Sequence, residues 1–346
     1  MRKIICITQG GIESPSANFR IRQYKELFKK DGWEISEFNL KNLYYPELTK
    51  NLYFHYLIKL LGVYFIFKKI NKLILHNKFK KTDVIWINKY AIKQVELHRY
   101  NKVIIQDIDD AVFYNSLENF TATLNTATHL LIGNNFLANE ILKIKKVNYD
   151  IIPTAIHIDL YPKKQYFNDK FVIGWIGSPY TNKYLIEIKD SLNQFLAKND
   201  CELHIISDKL EDFEGVFTEK CKLIKWEDDS YIENLNQFTV GLMPLSNSNW
   251  EKGKCSFKML QYMACFKPVI VSPVGMNCEI LEKYDCGLFA NNLNDWSSKL
   301  ATLYKNKDLI QRLGINGRLA IEKEYSVENN YKKINQIFEN YVDSKK

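Results

Sequence analysis

The sequence predicts an α/β fold made of two doubly wound, Rossmann-like domains that face each other across a cleft. The first observation is length, because 346 residues exceed what one hydrophobic core usually organises. The second is a regular alternation of short apolar runs with segments of helical periodicity, which predicts parallel sheets covered by helices. The third is a polar, turn-rich passage that follows Thr154 and extends to Phe167, which divides the alternation into two similar halves.

Composition excludes several classes of protein. Hydrophobic residues make up 46% of the chain and charged residues 25%, which is typical of a globular protein and not of a disordered one. The seven cysteines include no Cys-x-x-Cys pair, so we expect reduced thiols in the cytosol and neither disulfides nor a metal site. The first apolar run is too short for a signal peptide, and no window has the roughly 18 apolar residues of a membrane span. The net charge of +8 favours an anionic partner.

In the first half, residues 3–8 predict the first strand, and a helix follows from about Ala17 to Lys30. Between them, Gly10 and Gly11 allow a ligand to approach the backbone closely at the carboxyl edge of a sheet. The glycines do not form G-x-G-x-x-G, so a dinucleotide fingerprint is absent. Arg20 lies early on the predicted helix and either meets an anionic ligand or is a surface arginine. The glycine pair likewise agrees with a ligand-binding loop or with a plain strand-to-helix turn.

The segment from Leu52 to Phe79 mixes aromatic residues with lysines, and no acidic residue occurs between Leu48 and Thr82. Apolar burial combined with attraction to anionic headgroups is what an interfacial helix needs at a membrane surface. The alternative is a pair of core helices with a basic outer edge. Nucleic acid is not favoured, because no recognisable binding module surrounds the charge. The residues expected to touch the membrane are Leu52, Phe54, Lys59, Phe65, Phe67, Lys68, Lys69 and Lys72.

Three carboxylates follow a predicted strand at residues 102–106, namely Asp107, Asp109 and Asp110. The carboxyl end of a parallel strand is where α/β proteins place their chemistry. We therefore expect the cluster to line the cleft, with Asp109 or Asp110 orienting a hydroxyl group of a ligand. Helix N-capping and a structural hydrogen bond are the competing interpretation. The other elements predicted in this half are strands at 33–38, 83–88 and 129–133 and a helix at 90–99.

The second half opens with a predicted strand at residues 172–176, followed by a loop that contains Gly177, Ser178 and Thr181. Gly177 permits close approach of a ligand to the backbone, and the two hydroxyl groups supply hydrogen-bond donors. Trp226, at the end of the third predicted strand of this half, could stack on a base or sugar, and packing in the core is the preferred alternative. The second and third strands are predicted at 202–207 and 222–226.

The run from residue 241 to residue 279 organises the rest of the second half. A loop that leads from a parallel strand into a helix offers free N–H groups and the positive end of the helix dipole to an anion. Gly253 allows close approach, Lys254 adds charge, and Lys258 and Gln261 share one helix face. This layout predicts a diphosphate near the two lysines and a sugar-like diol near Gln261. A buried amphipathic helix with solvated lysines at its edge is the alternative. The predicted elements are a strand at 240–244, a loop at 246–253, a helix at 256–265 and a strand at 268–271.

The segment GKCSFKMLQYMACFKPVIVSPVG, residues 253–275, resembles the nucleotide-sugar segment of glycosyltransferase family 4, whose members are retaining enzymes of the GT-B fold. The resemblance extends over nearly the whole chain and is most specific between residues 174 and 275. It places Gln261 where the family usually has the glutamate that holds the donor ribose, and Gly253 where many members have a sugar-contacting glutamate. Ser178 stands where many members have an arginine that neutralises the leaving diphosphate.

The resemblance also implies the domain organisation. Residues 1–160 would form an acceptor-binding domain, residues 161–329 a domain that binds the nucleotide sugar, and residues 330–346 a helix that crosses back to the first domain. Helical patterns at 295–304, 308–324 and 327–342 agree with this end of the chain.

On these grounds we expect a retaining glycosyltransferase that moves a sugar from a nucleotide-diphosphate sugar, of UDP or GDP type, to a glycan or lipid-linked glycan. Its setting would be the assembly of bacterial cell-surface polysaccharide or glycoconjugate. We expect no metal and no other cofactor, and a cytoplasmic protein that can lie peripherally at the inner face of the membrane. The alternative is a non-catalytic membrane-surface protein that binds a sugar or nucleotide on the same fold.

The resemblance and the residue patterns together assign roles to named residues. The expected catalytic residues are Asp109, Asp110 and Lys258. The expected donor-binding residues are Gly177, Ser178, Thr181, Gly253, Lys254, Lys258, Gln261, Gly275 and Glu279. The expected acceptor-binding residues are Gly10, Gly11, Arg20 and Asp107.

Overall fold

The structure, a computed structural model, describes residues 2–11, 14–40, 64–91 and 95–344. The chain divides into two compact units. The first unit contains Met1–Thr154 together with Asn330–Lys346, and the second contains Ala155–Asn329. Each unit has its own parallel sheet, so the α/β class predicted from strand–helix alternation is confirmed.

The strands of the first unit are β1 (Arg2–Thr8), β2 (Trp33–Asn39), β3 (Val84–Asn88), β4 (Val103–Ile108), β5 (His129–Ile132) and β6 (Tyr149–Ile151). They pair in the order β2-β1-β3-β4-β5-β6, and each pair is parallel. Strand β3 is buried along its whole length, as the apolar runs of a sheet covered on both faces require. The order reverses between β1 and β3, so the crevice at their carboxyl ends is a topological switch point.

The described helices that precede residue 155 are α1 (Pro15–Arg20), α2 (Lys25–Lys30), α3 (Tyr64–Lys80), α4 (Leu117–Leu124) and α5 (Asn135–Ile144). The helix predicted from Ala17 to Lys30 is interrupted, because a 3₁₀ turn at Arg22–Tyr24 separates α1 from α2. Helix α5 begins where Asn134 accepts a hydrogen bond from the Leu137 N–H at 2.9 Å, which satisfies a free donor of the first turn.

The helix predicted from Tyr90 to Arg99 is wrong. Residues 92–94 lie outside the described residues, and the described remainder has no α-helix, only 3₁₀ conformation at Val95 and at Leu97–Arg99. Lys89 and Glu96 both have positive φ, 64° and 53°, a region that breaks an α-helix. The segment therefore turns twice where its apolar spacing predicted a continuous helix.

Helix α3 covers part of the aromatic and basic segment. It buries Leu75 and Phe79, which belong to the core, and exposes Ile70, Leu73 and Ile74 at 48%, 62% and 44%. The core-helix interpretation therefore holds for one side of α3, while the opposite side presents apolar residues to solvent. Of the residues expected at the membrane, Leu52, Phe54 and Lys59 lie outside the described residues. Phe65, Phe67 and Lys68 lie in the first turns of α3, where only the backbone is described, and Lys69 and Lys72 lie in the part whose side chains are described.

The strands of the second unit are β7 (Phe171–Gly177), β8 (Cys201–Ser207), β9 (Cys221–Lys225), β10 (Val240–Met243), β11 (Val269–Val271) and β12 (Gly287–Phe289). They pair in the order β12-β11-β10-β7-β8-β9, again all parallel. Counted within this unit the order is 6-5-4-1-2-3, the doubly wound arrangement of dinucleotide-binding sheets. The switch point lies between β7 and β10, so ligands are expected beyond the carboxyl ends of these two strands.

The described helices of the second unit are α6 (Asn182–Glu187), α7 (Lys189–Lys198), α8 (Tyr231–Asn236), α9 (Asn249–Lys252), α10 (Phe257–Ala264), α11 (Met276–Tyr284), α12 (Asp295–Tyr304) and α13 (Lys307–Ala320). The loop predicted at 246–253 contains the short helix α9, because Ser248 caps it by accepting from the Trp250 N–H at 3.2 Å. The helix predicted at 308–324 is α13 followed by a π-helical turn at Ile321–Tyr325.

The last helix, α14 (Val327–Asp343), belongs to the first unit from Asn330 onward. Phe338 stacks on Phe28 with ring centroids 5.4 Å apart. The Trp33 indole donates to the Asn335 side chain at 2.9 Å. These contacts join the end of the chain to elements near its beginning. No helix within the described parts of the chain is both long enough and apolar enough to span a bilayer.

Candidate functional site

Lys258 lies at the switch point of the second sheet. It stands in the first turn of α10, and its Nζ donates to the Thr181 hydroxyl at 2.8 Å. The same ammonium lies 4.2 Å from the centroid of the Trp175 ring, within cation–π range. Thr181 belongs to the loop that follows β7, and Trp175 lies within β7. The expected neighbours Lys258, Thr181 and Gly177 are therefore brought together by the structure.

The electrostatic setting of Lys258 is unusual for a lysine. The residue is half-buried, and its ammonium contacts the Thr181 hydroxyl and the Trp175 indole ring. Burial, and then the nearby positive charge of Lys254, hold the pKa of Lys258 well below its usual range. Within the described residues no carboxylate forms an ion pair with this lysine. A cation in such a place is stabilised when an anion binds beside it.

Gly177 is required by this arrangement. A Cβ atom at this position would lie 2.2 Å from the Trp175 ring and 2.6 Å from the Lys258 Nζ. Any side chain here would therefore displace the ammonium or the indole. The glycine therefore makes room for the lysine, and its predicted role in letting a ligand approach the backbone stays a prediction.

Helix α10 is tied to both strands of the switch point by one buried side chain. The Tyr262 hydroxyl accepts from the Ile176 N–H at 3.0 Å and donates to the Leu242 carbonyl at 3.2 Å. Its ring occupies the space beside Gly241, where a Cβ would approach the ring to 2.3 Å. Since Ile176 lies in β7 and Leu242 in β10, these contacts hold α10, the helix that carries Lys258, against both strands of the switch point.

Gln261 occupies one end of a polar and aromatic chain of contacts. Its side chain is 6% exposed and lies beside the hydroxyls of Tyr161 and Tyr231, which are 3.5 Å from each other. Tyr231 stacks on Trp226, with centroids 6.0 Å apart and planes at 25°. Trp226 is 36% exposed. The expectation that Trp226 packs in the core is therefore wrong, because its indole covers Tyr231 and leaves part of its surface to solvent.

The loop between β10 and α10 contains a carboxylate that sequence reasoning missed. Glu251 is 6% exposed and accepts hydrogen bonds from the Tyr184 and Ser248 hydroxyls. Burial alone would raise the pKa of Glu251, but these hydrogen bonds outweigh it and lower the pKa. Lys254 lies 5.9 Å from the Trp250 ring, and Gly253 ends α9 in a right-handed conformation. The sequence contains no signal for this role, because one of the two hydroxyl partners, Tyr184, is 67 residues away along the chain.

The loop after β11 comes close to α9. Gly275 has φ +53°, and a Cβ there would lie 2.5 Å from the Lys252 carbonyl oxygen, so only glycine is accommodated. Asn277 connects the neighbouring turns: it accepts from the Ser256 hydroxyl at 2.7 Å and donates to the Ser272 carbonyl at 3.0 Å. Glu279 lies half-buried in the first turn of α11. Because β7, β10 and β11 are parallel neighbours, this loop shares one sheet edge with Gly177 and Lys258.

In the first unit, Arg20 and Asp107 form a buried ion pair. The Arg20 Nε lies 2.7 Å from Asp107 Oδ1, and the two side chains are 1% and 0% exposed. Arg20 also donates to the Ile152 carbonyl at 2.7 Å, and the Trp86 indole donates to Asp107 at 3.3 Å. Burial raises the pKa of Asp107 to about 6, against the opposing effect of the Arg20 charge. The structure thus gives both residues a structural contact, and their roles in acceptor binding stay predictions.

The remaining expected residues of the first unit lie around its own switch point. Gly10 has φ +81°, and a Cβ there would meet the Ser14 side chain at 2.8 Å, whereas Gly11 is exposed with open space around it. Asp109 is 9% exposed, and Asp110 is half-exposed and accepts from Lys89 at 3.0 Å. Among the residues that the structure describes, the aspartate cluster forms no group of acidic, His or Cys side chains that could hold a metal ion. Catalytic roles for Asp109 and Asp110 stay predictions.

Comparison with known proteins agrees with this geometry. Residues 170–306 match the sequence model of a family described as glycosyl transferases group 1. The match covers β7 through α12 and so includes Gly177, Lys258 and Gln261. No curated protein matches the chain by sequence.

Solved structures match nearly the whole chain. Sucrose-phosphate synthase from Thermosynechococcus elongatus is 14% identical with a TM-score of 0.75, over 99% of this chain and 100% of that one. The HepE protein of Anabaena in complex with UDP and glucose is 11% identical with a TM-score of 0.69, over 98% and 100%. A glycosyltransferase from Rickettsia africae is 13% identical with a TM-score of 0.68, over 99% and 98%. These likenesses confirm the GT-B fold. Together with the family match they support a glycosyltransferase, which is coarser than the family 4 resemblance.

Proposed function

We propose that this protein is a retaining glycosyltransferase that transfers a sugar from a nucleotide-diphosphate sugar to a hydroxyl of a glycan or lipid-linked glycan. The observation that carries the proposal is the setting of Lys258. Its ammonium lies at the switch point of the second sheet against a hydroxyl and an indole ring, inside the segment that matches the glycosyltransferase model. The HepE structure that resembles this chain holds UDP and glucose, which supports a nucleotide-sugar donor here.

The chemical demand on the site is to stabilise negative charge on the departing nucleotide diphosphate. Lys258 and Lys254 supply positive charge, and the first turn of α10 supplies free N–H groups and the positive end of its dipole. A bound diphosphate would restore the pKa of Lys258 toward its usual value, because an opposite charge close by favours the ammonium form. In our proposal Lys258 is the catalytic residue of the donor side, and Ser178, Thr181 and Gly275 line the phosphate and sugar positions.

Two side chains of the second unit, Gln261 and Trp226, are suited to contact the nucleoside of the proposed donor. Gln261 would hold the ribose diol, in the place where the resembling family has glutamate, and the exposed face of Trp226 would stack on the base. The Tyr161 and Tyr231 hydroxyls lie beside the Gln261 side chain. Glu279 and the backbone at Gly253 would meet the sugar. We propose a donor of UDP or GDP type, with no metal and no other cofactor.

The acceptor side of the proposal rests on the first unit. The Gly10–Gly11 loop, Asp109 and Asp110 follow the carboxyl ends of β1 and β4, and Asp110 and Gly11 are accessible to solvent. Asp110 would orient the attacking hydroxyl. Attack on the face that the diphosphate leaves would retain the anomeric configuration, as the family resemblance implies. Assembly of a bacterial cell-surface polysaccharide or glycoconjugate is the proposed setting.

We also propose that α3 places the cytoplasmic protein at an anionic membrane surface. Ile70, Leu73 and Ile74 are exposed on a helix whose described basic residues include Lys69, Lys78 and Lys80. This combination suits an interfacial helix.

Vesicle flotation tests the membrane placement. The wild type should float with vesicles that contain 30% phosphatidylglycerol at low salt, and Leu73→Glu should abolish its flotation. Leu293→Glu, at a leucine of similar exposure in the second unit, should have no effect. Equal loss in both variants, or no flotation of the wild type, would refute membrane placement.

The decisive experiment is equilibrium binding of UDP, GDP, ADP and their glucose conjugates by calorimetry. One nucleotide should bind the wild type, and Lys258→Met should weaken it at least tenfold, because a charge-assisted contact with phosphate is lost. Lys198→Met is the matched control. Lys198 ends α7 at the opposite edge of the sheet, before β8, and its loss should not change affinity. Equal affinity in wild type and Lys258→Met would contradict the proposed donor site.

Turnover separates the enzyme from its alternative, a non-catalytic sugar- or nucleotide-binding protein of the same fold. With the donor that binds, the wild type should release nucleotide diphosphate slowly by hydrolysis and faster with a suitable glycan acceptor. Lys258→Met should lower both rates. Tight donor binding without release, with acceptors spanning free sugars, glycolipids and polysaccharide fragments, would favour the non-catalytic alternative.

A further inference from the structure

The second unit contains a cavity of about 600 Å³ that is separate from the proposed donor site. It is lined by Phe171 at the start of β7, by Thr239 just before β10, and by Lys267 just before β11. It therefore lies at the amino edge of the sheet. Lys258 and Gly177 lie at the carboxyl edge, and the seven residues of β7 separate the two edges by about 20 Å.

A buried cation forms part of the cavity lining. Lys267 is 2% exposed, and its Nζ donates to the Tyr166 carbonyl at 2.8 Å. The ammonium also lies 5.6 Å from the Tyr166 ring centroid. Burial lowers the pKa of Lys267 to about 8. Within the described residues no carboxylate forms an ion pair with it, and the two aspartates of the lining, Asp169 and Asp200, are exposed at the rim.

The walls around this cation are aromatic. Tyr166 and Phe167 are 44% and 50% exposed although both line the cavity, so their rings are available to a ligand. Phe266, next to Lys267, adopts φ +58°, a conformation that costs free energy in a non-glycine residue. Phe266 and Lys267 are consecutive residues, and both line the cavity. The volume lies within the 300–1,000 Å³ range of small-molecule sites.

We propose that this cavity binds a small aromatic anion, whose ring packs against Tyr166 and Phe167 and whose carboxylate or phosphate accepts from the Lys267 ammonium. A buried ammonium with one carbonyl partner retains two unused N–H donors and an unneutralised charge, and an anionic group satisfies both. Exposed aromatic rings beside it provide the apolar surface that such a ligand would cover. The site is independent of the proposed donor site, so neither depends on the other being correct.

The test uses 8-anilinonaphthalene-1-sulfonate, an aromatic sulfonate that fluoresces when it leaves water. The wild type should bind the dye saturably, and Lys267→Met should weaken this binding at least tenfold while retaining the apolar stem. Lys30→Met, which removes an exposed lysine at the end of α2 in the first unit, is the matched control and should leave binding unchanged. Phe167→Ala truncates an exposed ring, so it should fold normally even if Lys267→Met does not, and it should weaken binding several-fold.

Competition then identifies the anion. Displacement of the dye by indole-3-acetate supports a carboxylate ligand, and displacement by phenyl phosphate supports a phosphate ligand. The proposal is overturned if neither competes, or if Phe167→Ala and a folded Lys267→Met bind the dye as the wild type does. It is also overturned if UDP displaces the dye and the two aromatic anions do not. The dye would then be bound in the proposed donor site at the carboxyl edge of the sheet.

Discussion

A basic side chain lies near the switch point of each sheet, and the two side chains differ in their partners. Arg20, beside the first sheet, is fully buried and is neutralised by Asp107 at 2.7 Å. Lys258, beside the second, contacts a threonine hydroxyl and an indole ring, and within the described residues it pairs with no carboxylate. The first unit therefore uses its charge to hold itself together. The second unit has a charge without an acidic partner, which in our proposal is met by the donor diphosphate.

This difference indicates how the two charges should respond to mutation. A buried ion pair that loses one member leaves an uncompensated charge in a dry place, so the fold loses stability. A half-buried lysine that lacks an acidic partner opposes folding slightly, so its removal affects ligand binding more than stability. The following predictions test that contrast.

The largest expected effect is on the first unit. Asp107→Ala should lower the free energy of unfolding by about 3–5 kcal/mol, because Arg20 remains buried without its counter-charge. Urea denaturation followed by circular dichroism measures this. Lys258→Met should change the same quantity by less than about 1 kcal/mol. A loss for Lys258→Met as large as that for Asp107→Ala would remove the contrast between the two switch points.

The next effect concerns the glycine that makes room for Lys258. Gly177→Ala should lower the free energy of unfolding by about 1–3 kcal/mol, because its Cβ would overlap the Trp175 ring. Gly11→Ala is the matched control at the first switch point, where a Cβ meets no atom within 4 Å. That variant should stay within about 0.5 kcal/mol of the wild type. Thermal and urea unfolding compare the two, and equal effects would show that Gly177 has no packing role.

A third prediction concerns pH and a second ion cluster of the first unit. Burial would raise the pKa of Glu37, but hydrogen bonds from Arg22, Lys25 and Thr8 outweigh it and lower the pKa to about 2. A lowered carboxyl pKa contributes stability above the unfolded value of about 4.5, and this contribution is lost as pH falls toward 2. We expect about 1–2 kcal/mol from this residue at pH 7, after allowance for its partial exposure.

Unfolding free energies of wild type and Glu37→Gln between pH 2 and pH 7 measure this contribution. The variant should be less stable at pH 7 and should converge on the wild type at pH 2. Parallel curves over the whole range would show that Glu37 is not the titrating group.

The smallest expected effect on stability concerns Asp110, which belongs to the same aspartate cluster as Asp107. Asp110→Asn should cost at most about 1 kcal/mol, because its pair with Lys89 is partly exposed, in contrast to Asp107. The same variant should lower the rate of glycosyl transfer at least tenfold if Asp110 orients the acceptor hydroxyl. Unfolding curves and an acceptor-dependent transfer assay measure the two quantities. Wild-type transfer by the variant would exclude that role.

Much of the architecture was predictable because each element has a local signal. Apolar runs such as those of β3 and β7 indicate buried parallel strands, and the spacing of Lys258 and Gln261 places both on one helix face. The prediction failed at Tyr90–Arg99, where positive φ at Lys89 and Glu96 breaks the helix. It also failed at Trp226, which covers Tyr231 instead of entering the core. In both places the spacing of apolar residues does not reveal the backbone conformation or the side-chain exposure that the structure has.

The sequence by itself determined the alternation of strands and helices, the two halves, and the helix that carries Lys258 over a sheet edge. It could not show that Arg20 would be neutralised by a residue 87 positions away or that Lys258 would meet Thr181 across 77 positions. Nor could it reveal the cavity around Lys267, whose walls come from residues 165 to 311. Periodicity is a property of neighbouring residues. Which charges meet depends on the order in which strands lie side by side, and only the tertiary structure decides that.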